Sequence, residues 1–245
     1  MLINTTYKDV PTQLDPNGRP IRFLVITPNV PNYPNAKFPG VVVFSEIYQV
    51  TGPVERFAGQ IASNGYVVVC PSIYHEFQGP EAIPYDVEGT DRGNRFKIEK
   101  EVAAYDEAFR ASFHPRVLAS FCFFATDIHS ATLGKGKSDD SLAKVRAGGL
   151  NGDKELVMVF GKQDTHVPRA GRDLIRQTLE DANVTVTFLE VQAQHAFIRD
   201  ESSKGRWDAA LTRSMFTSLM ELFERRVGRD LGERVEDNRE IEHVC

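Results

Sequence analysis

"ELVMVFGKQDTHVP", residues 155 to 168, joins an apolar run to a polar turn that ends in proline. ELVMVF (155–160) is nearly continuous in apolar residues, as a strand buried on both faces must be. Asp164 comes just beyond it, at the strand end where open α/β sheets place their ligands. Working outward, five more runs read as strands: IRFLVIT (21–27), GVVVFSE (40–46), YVVVC (66–70), VLASFCFF (117–124) and VTVTFLEV (184–191). Segments of helical period lie near 53–63, 96–110, 169–182 and 206–227. This alternation predicts an α/β fold, a mostly parallel sheet flanked by helices. Pro53 suits a first helical turn, and Gly65 supplies an end to that helix. The stretch 79–94, rich in proline, glycine and acids, reads as a long loop. With no internal repeat or Ser/Gly linker, residues 1–227 read as one domain and 228–245 as a charged, solvated tail.

The strand VTVTFLEV leads into "FLEVQAQHAFIRDE" (188–201), which places His195 beyond the next strand end. Acid then histidine, each after a strand, is the chain order of the last two members of an α/β-hydrolase triad. Asp164 would hold the His195 tautomer and stabilise the imidazolium formed during turnover. The bland alternative is that Asp164 caps the helix beginning near Pro168 while His195 merely packs.

Three stretches, "SEIYQVTGPVERFAGQIASNGYVVVCPSIYHEF", "GKQDTHVP" and "AQHAFIRDE", together resemble the dienelactone hydrolase family of α/β-hydrolases. The likeness runs from about residue 20 to residue 227, with the motifs in the family's order. It implies opening of a small-molecule lactone or carboxylic ester by a Cys-His-Asp mechanism, without metal or organic cofactor. By resemblance, Asp164 is the triad acid, His195 the base, and Glu46 the glutamate that helps activate the nucleophile. Arg199 matches an arginine that binds a substrate carboxylate, and Arg92 in "GTDRGN" is the choice for a second, with Arg95 the alternative. Two guanidiniums would suit a carboxylated lactone, because each planar fork donates paired hydrogen bonds. For both arginines a surface ion pair is the competing reading.

The same resemblance exposes a gap. The family carries its nucleophile in a Gly-x-Cys/Ser-x-Gly turn, tight enough to need both glycines. No Ser or Cys of this chain has glycine at both the −2 and +2 positions. In "SFCFF", Ser120 and Phe124 stand at those positions around Cys122, which reads as a core cysteine of a strand. "KIEKEVAAYDE" resembles the helix before the family's nucleophile strand, and "AFRASFHPRVLASFCFFATDIHSATLGKG" the region after the nucleophile helix. They meet at Glu107–Ala108, so the resemblance implies that roughly 30 residues of strand, elbow and helix are missing. The expected fold is therefore α/β-hydrolase-type and narrower, without its central nucleophile strand, so that YVVVC and VLASFCFF pair directly or each exposes an edge. An oxyanion donor would remain near Ile47. An inactive relative that binds carboxylates or a partner protein is the alternative function.

Composition narrows the remaining classes. Net charge is −5, which gives no reason to expect nucleic acid or an anionic membrane as partner. The N-terminus shows no secretory pattern and no run is long enough to span a bilayer, so a cytoplasmic protein is expected. The three cysteines lack CxxC spacing, which argues against a disulfide framework or zinc site. The pairs Asp127/His129 and Asp164/His166 have no third partner at metal-ligand spacing. "ATLGKGKSDD" (131–140) is a near miss for a phosphate loop, with Ala131 where glycine belongs. Oligomeric state is not fixed by these features.

Overall fold

The structure, a computed structural model, describes residues 1–12, 18–100, 109, 111–132, 135–137 and 140–228. Its strands fall into two sheets. The first has the order β1–β2–β4–β3, from β1 (Leu2–Val10), β2 (Ile21–Asn29), β3 (Gly40–Val42) and β4 (Val67–Pro71). The second is β5–β6–β7, from β5 (Ala119–Phe123), β6 (Glu155–Gly161) and β7 (Val186–Val191), parallel throughout. Helices α1 (Gly52–Ser63), α2 (Val87–Glu99), α3 (Ser141–Arg146), α4 (Arg169–Asp181) and α5 (Ala209–Arg226) complete the described elements.

Side-chain alternation along β6 explains the layering. Val157 and Val159 join a core with Leu24, Val68, Leu219 and Leu222, under α1 and α5. Leu156, Met158 and Phe160 point the other way, to a core with Cys122, Ile175 and Leu179 under α4. Successive residues of a strand face opposite sides, so the five apolar residues Leu156 to Phe160 fill both layers. The first of these cores takes side chains from both sheets, although no ladder joins them.

The expected pairing of YVVVC with VLASFCFF is not found. β4 already has two partners, antiparallel β2 (Leu24 opposite Cys70) and parallel β3 (Val41 opposite Val68). It has no edge to offer. The strand that faces β5 is β3, and it is paired over only three residues, shorter than the run 40–46 suggested. Among the described residues, neither β3 nor β5 has a second neighbour.

Two other expectations change. β1 was not foreseen: it pairs with β2 over nine residues, yet every residue is exposed, so no buried face patterns its sequence. The stretch 79–94 is not all loop, since α2 starts at Val87 with Asp86 as its cap, the carboxylate accepting from Gly89 N–H at 2.7 Å. Its glycines serve contact rather than a turn. A Cβ on Gly93 would stand 2.4 Å from the Ile47 carbonyl oxygen, so only glycine lets α2 lie against the loop after β3. Most of the helix expected over 96–110, the Glu107–Ala108 junction, parts of 131–140 and the tail beyond Gly228 lie outside the described residues.

Candidate active site

The acid and the histidine meet because β6 and β7 end together. Lys162 N–H donates to the Val191 carbonyl at 2.8 Å, and Gln163 N–H to the Ala193 carbonyl at 3.0 Å. A Cβ on Gly161 would fall 2.3 Å from the Ala193 oxygen, so glycine is needed for the two strand exits to touch. Asp164 then lies 4% exposed beneath His195, whose Nδ1 is 2.8 Å from Asp164 Oδ2. The other oxygen, Oδ1, accepts from His166 N–H at 2.8 Å. Pro168 rather than Asp164 occupies the position before α4, which excludes the capping alternative.

Burial acts to raise the Asp164 pKa, but the hydrogen bond and charge of His195, with the His166 N–H, outweigh it and hold the carboxyl below its usual range. An ionised Asp164 accepting at Nδ1 fixes the proton there and leaves Nε2 as the basic nitrogen. The His166 ring packs against that of His195, tilted by 51° with 4.4 Å between centroids. Burial, then the charge of His195, depresses the His166 pKa.

Glu46 and Arg199 form the second half of the site. Arg199 is 6% exposed and donates from Nη1 to Glu46 Oε2 at 3.2 Å and from Nη2 to the Ser202 carbonyl at 3.0 Å. Its guanidinium lies over Tyr85, 4.5 Å from the ring centroid. The Tyr85 hydroxyl donates to Glu46 at 3.3 Å and meets Thr51 Oγ1 at 2.7 Å. Burial, then the Glu46 charge, pushes the Tyr85 pKa up, so the phenol stays protonated and able to donate. Tyr85 was not singled out in the sequence, and His166 only as an imagined metal ligand beside Asp164. Tyr85 reaches Glu46 across 39 positions, a contact that no local pattern announces.

His195, Glu46 and Arg199 line one open groove with β3 and its continuation on one side and Phe121–Thr126 on the other. Cys122 lines it too, 2% exposed and not disulfide-bonded. Arg92 does not: it stands on α2, 3.8 Å from Glu88, while Arg95 is exposed beside Phe96. Ile47 packs with Tyr48, Ile73, Tyr74, Ile83 and Phe96 behind the groove. No group of three potential metal ligands occurs among the described residues.

Comparison with known proteins bears on this geometry directly. The model described as "Dienelactone hydrolase family" matches residues 23–110 and 111–227. The chain belongs to the dienelactone hydrolase family. A Saccharomyces cerevisiae protein carrying a carboxymethylenebutenolidase name is 50% identical, with all of both chains covered. That alignment runs over 277 positions against 245 residues here, so at least 32 of its positions have no residue of this chain. The family match is interrupted between residues 110 and 111, three positions from the junction inferred by resemblance. A Klebsiella pneumoniae structure bearing a dienelactone hydrolase name has a TM-score of 0.68 at 16% identity, covering 92% of this chain and 100% of that one. A metagenomic dienelactone hydrolase-like phosphotriesterase, P91, has a TM-score of 0.59 at 15% identity, covering 91% and 99%. At those identities the likeness speaks for the fold, an α/β sheet flanked by helices. Among the described residues no helix is long and apolar enough to cross a membrane.

Proposed function

We propose that this chain carries the acid–base half of a lactone and carboxylic-ester hydrolase site, and lacks the nucleophile that would complete it. The observation that carries this reading is the 2.8 Å Asp164–His195 pair, opening onto a groove shared with Glu46 and Arg199. With a thiol supplied there, His195 Nε2 takes its proton and the thiolate attacks the substrate carbonyl carbon. The ester C–O bond breaks, the leaving alkoxide takes the proton back from His195, and water hydrolyses the acyl-thioester. Asp164 stabilises the imidazolium, and Glu46, beside the groove, helps to activate the thiol. Ile47 N–H is the remaining oxyanion donor. Arg199 is the first partner for a substrate carboxylate, and Arg92 the second, since among the described residues turning toward substrate would break only its long contact with Glu88. The reading requires no metal or organic cofactor and places the protein in the cytoplasm as one domain over residues 1–227.

The missing Gly-x-Cys/Ser-x-Gly elbow favours one second reading, a catalytically silent carboxylate-binding or protein-interaction module. A single experiment separates the two. Insert a family strand, elbow cysteine and helix between Glu107 and Ala108, and measure lactone hydrolysis. In a serine protease, loss of the nucleophile costs about 10⁶-fold in kcat, so a gain of comparable order is expected here. It should vanish on mutating the new cysteine or His195. An inserted, folded chain that binds lactones without turning them over would leave the silent-module reading standing.

A further inference from the structure

The outermost strand of the first sheet leaves a long edge open. β1 runs nine residues against β2 in one unbroken antiparallel register, from Leu2 opposite Asn29 to Val10 opposite Ile21. No bulge or proline interrupts it, and every residue is exposed. Leu2, Tyr7 and Val10 are 76%, 60% and 46% exposed. Five of the eleven exposed large hydrophobics among the described residues lie between Met1 and Val10, so uncovered apolar surface is concentrated on this edge. Such an edge is a template for another strand.

Main-chain parity shows which groups the edge offers. Arg22 N–H donates to Ser72 Oγ at 3.1 Å, and the Arg22 carbonyl accepts from Ser72 N–H at 2.8 Å, so Arg22 faces β4. Backbone groups alternate in direction along a strand, so Ile21, Phe23, Val25, Thr27 and Asn29 face β1. They bond the residues opposite them, Val10, Lys8, Thr6, Asn4 and Leu2. Pro28, which has no N–H, stands opposite Ile3, where no donor to β1 is required. Ile3, Thr5, Tyr7 and Asp9 therefore turn both N–H and C=O outward.

The side chains select the partner. A second copy of β1, related by a two-fold axis at Thr6, pairs with all nine residues. Ile3 then meets Asp9 and Thr5 meets Tyr7, so each outward N–H finds a carbonyl. Between these pairs Leu2 meets Val10, Asn4 meets Lys8 and Thr6 meets Thr6, at the closer spacing of non-hydrogen-bonded pairs. Lys8 decides against the other registers. An axis at Lys8 opposes two lysines, an axis at Thr5 sets Lys8 against Leu2, and an axis at Tyr7 leaves Leu2 and Ile3 unpaired.

We propose that β1 is the interface of a symmetric dimer, in which two copies of this chain join edge to edge and their first sheets become one. The proposal does not rest on the hydrolase reading, because Asp164 and His195 follow strands of the other sheet. Two strands of this length make a smaller contact than the roughly 1,600 Å² of a standard interface. The dimer is therefore reversible, and its population rises with concentration.

The test uses the full chain. Its average mass in sedimentation equilibrium should climb toward that of two chains as concentration is raised. Hydrogen exchange at Ile3, Thr5, Tyr7 and Asp9 should slow about tenfold or more between dilute and concentrated samples. Asn4, Thr6 and Lys8, already bonded to β2, should change least. In a Cys245→Ser background, where Cys70 and Cys122 are buried, Thr6→Cys should give a disulfide-linked dimer, because residues of a non-hydrogen-bonded pair stand at disulfide distance. Thr5→Cys, set opposite Tyr7, should not. Thr5→Pro removes one outward N–H from each copy at an edge position that tolerates proline, and should weaken dimerisation about tenfold or more. A monomer at every concentration would overturn the proposal even if Thr5→Pro failed to fold. Cross-linking through Thr5→Cys instead of Thr6→Cys would overturn the stated pairing. Protection of the outward amides that is independent of concentration would assign the edge to another segment of the same chain and overturn the second copy. Ester hydrolysis by the inserted chain, present or absent, moves none of these readouts.

Discussion

The corner where β6 and β7 end and the groove between β3 and β5 are a few side chains apart, yet they are finished to different degrees. At the corner, Asp164 uses both carboxylate oxygens, His195 has its partner, and Gly161 closes the contact between the strand exits. Along the groove, two edges turn amides outward and Ser45 and Thr126 keep unsatisfied hydroxyls. The difference teaches that the acid–base pair needs only the β6–β7 unit, whose elements are complete within this chain. The groove needs a neighbour between two edges, and none occupies that place among the described residues.

Stability measurements can sharpen or break this contrast, beginning with the largest effect. Phe160→Ala, at a fully buried site on β6, should cost about 3–5 kcal/mol in denaturant unfolding. A cost well below that would mean the corner is no better packed than the groove. Next comes the Glu46–Arg199 pair, which bridges the two regions. Glu46→Ala leaves a buried guanidinium short of its partner and should cost about 2–3 kcal/mol. Arg199→Met should cost less, because it removes the buried charge instead of stranding it. Equal losses would indicate that the pair is not bridging the regions electrostatically.

A smaller effect should appear with pH. The folded pKa of His166 is depressed, so its contribution is complete above the unfolded value of about 6.5 and declines as pH falls toward the folded value. Asp164 is depressed as well, so its contribution is present above about 3.9 and is lost as pH falls through the folded value. Melting temperature should therefore drop in two acid windows. His166→Gln should flatten the first and Asp164→Asn the second, while Val42→Thr on the groove rim alters neither. Smallest of all, Val42→Thr should change stability by no more than about 0.5 kcal/mol, because its side chain is on the open rim.

The sequence was most legible where one element decides its own fate. ELVMVF announces a doubly buried strand by composition, and α4 follows Pro168 almost where its period begins. Asp164 and His195 could be paired because each follows a run that its own residues announce as a strand. Partnerships set by distant residues were not legible. β1 is held by the backbone of β2 and has no buried face to pattern it. α2 was obscured by Gly89 and Gly93, since a glycine kept for close approach looks the same in sequence as one kept for a turn. The pairing of β4 was missed because its partner on the β5 side, β3, contributes only three residues. Tyr85 was invisible because it reaches Glu46 across 39 positions from a segment without regular period.

The account turns on whether any residue of this chain can serve as nucleophile, and Cys122 is the thiol that lines the groove with His195. The direct measurement is hydrolysis of an activated carboxylic ester by the unaltered chain, side by side with Cys122→Ala and His195→Ala. The expected result is a rate near background for all three, because Cys122 is a buried strand residue without the glycines of an elbow. Clear turnover by the unaltered chain that disappears with Cys122→Ala would contradict it, and would make Cys122 the missing third member.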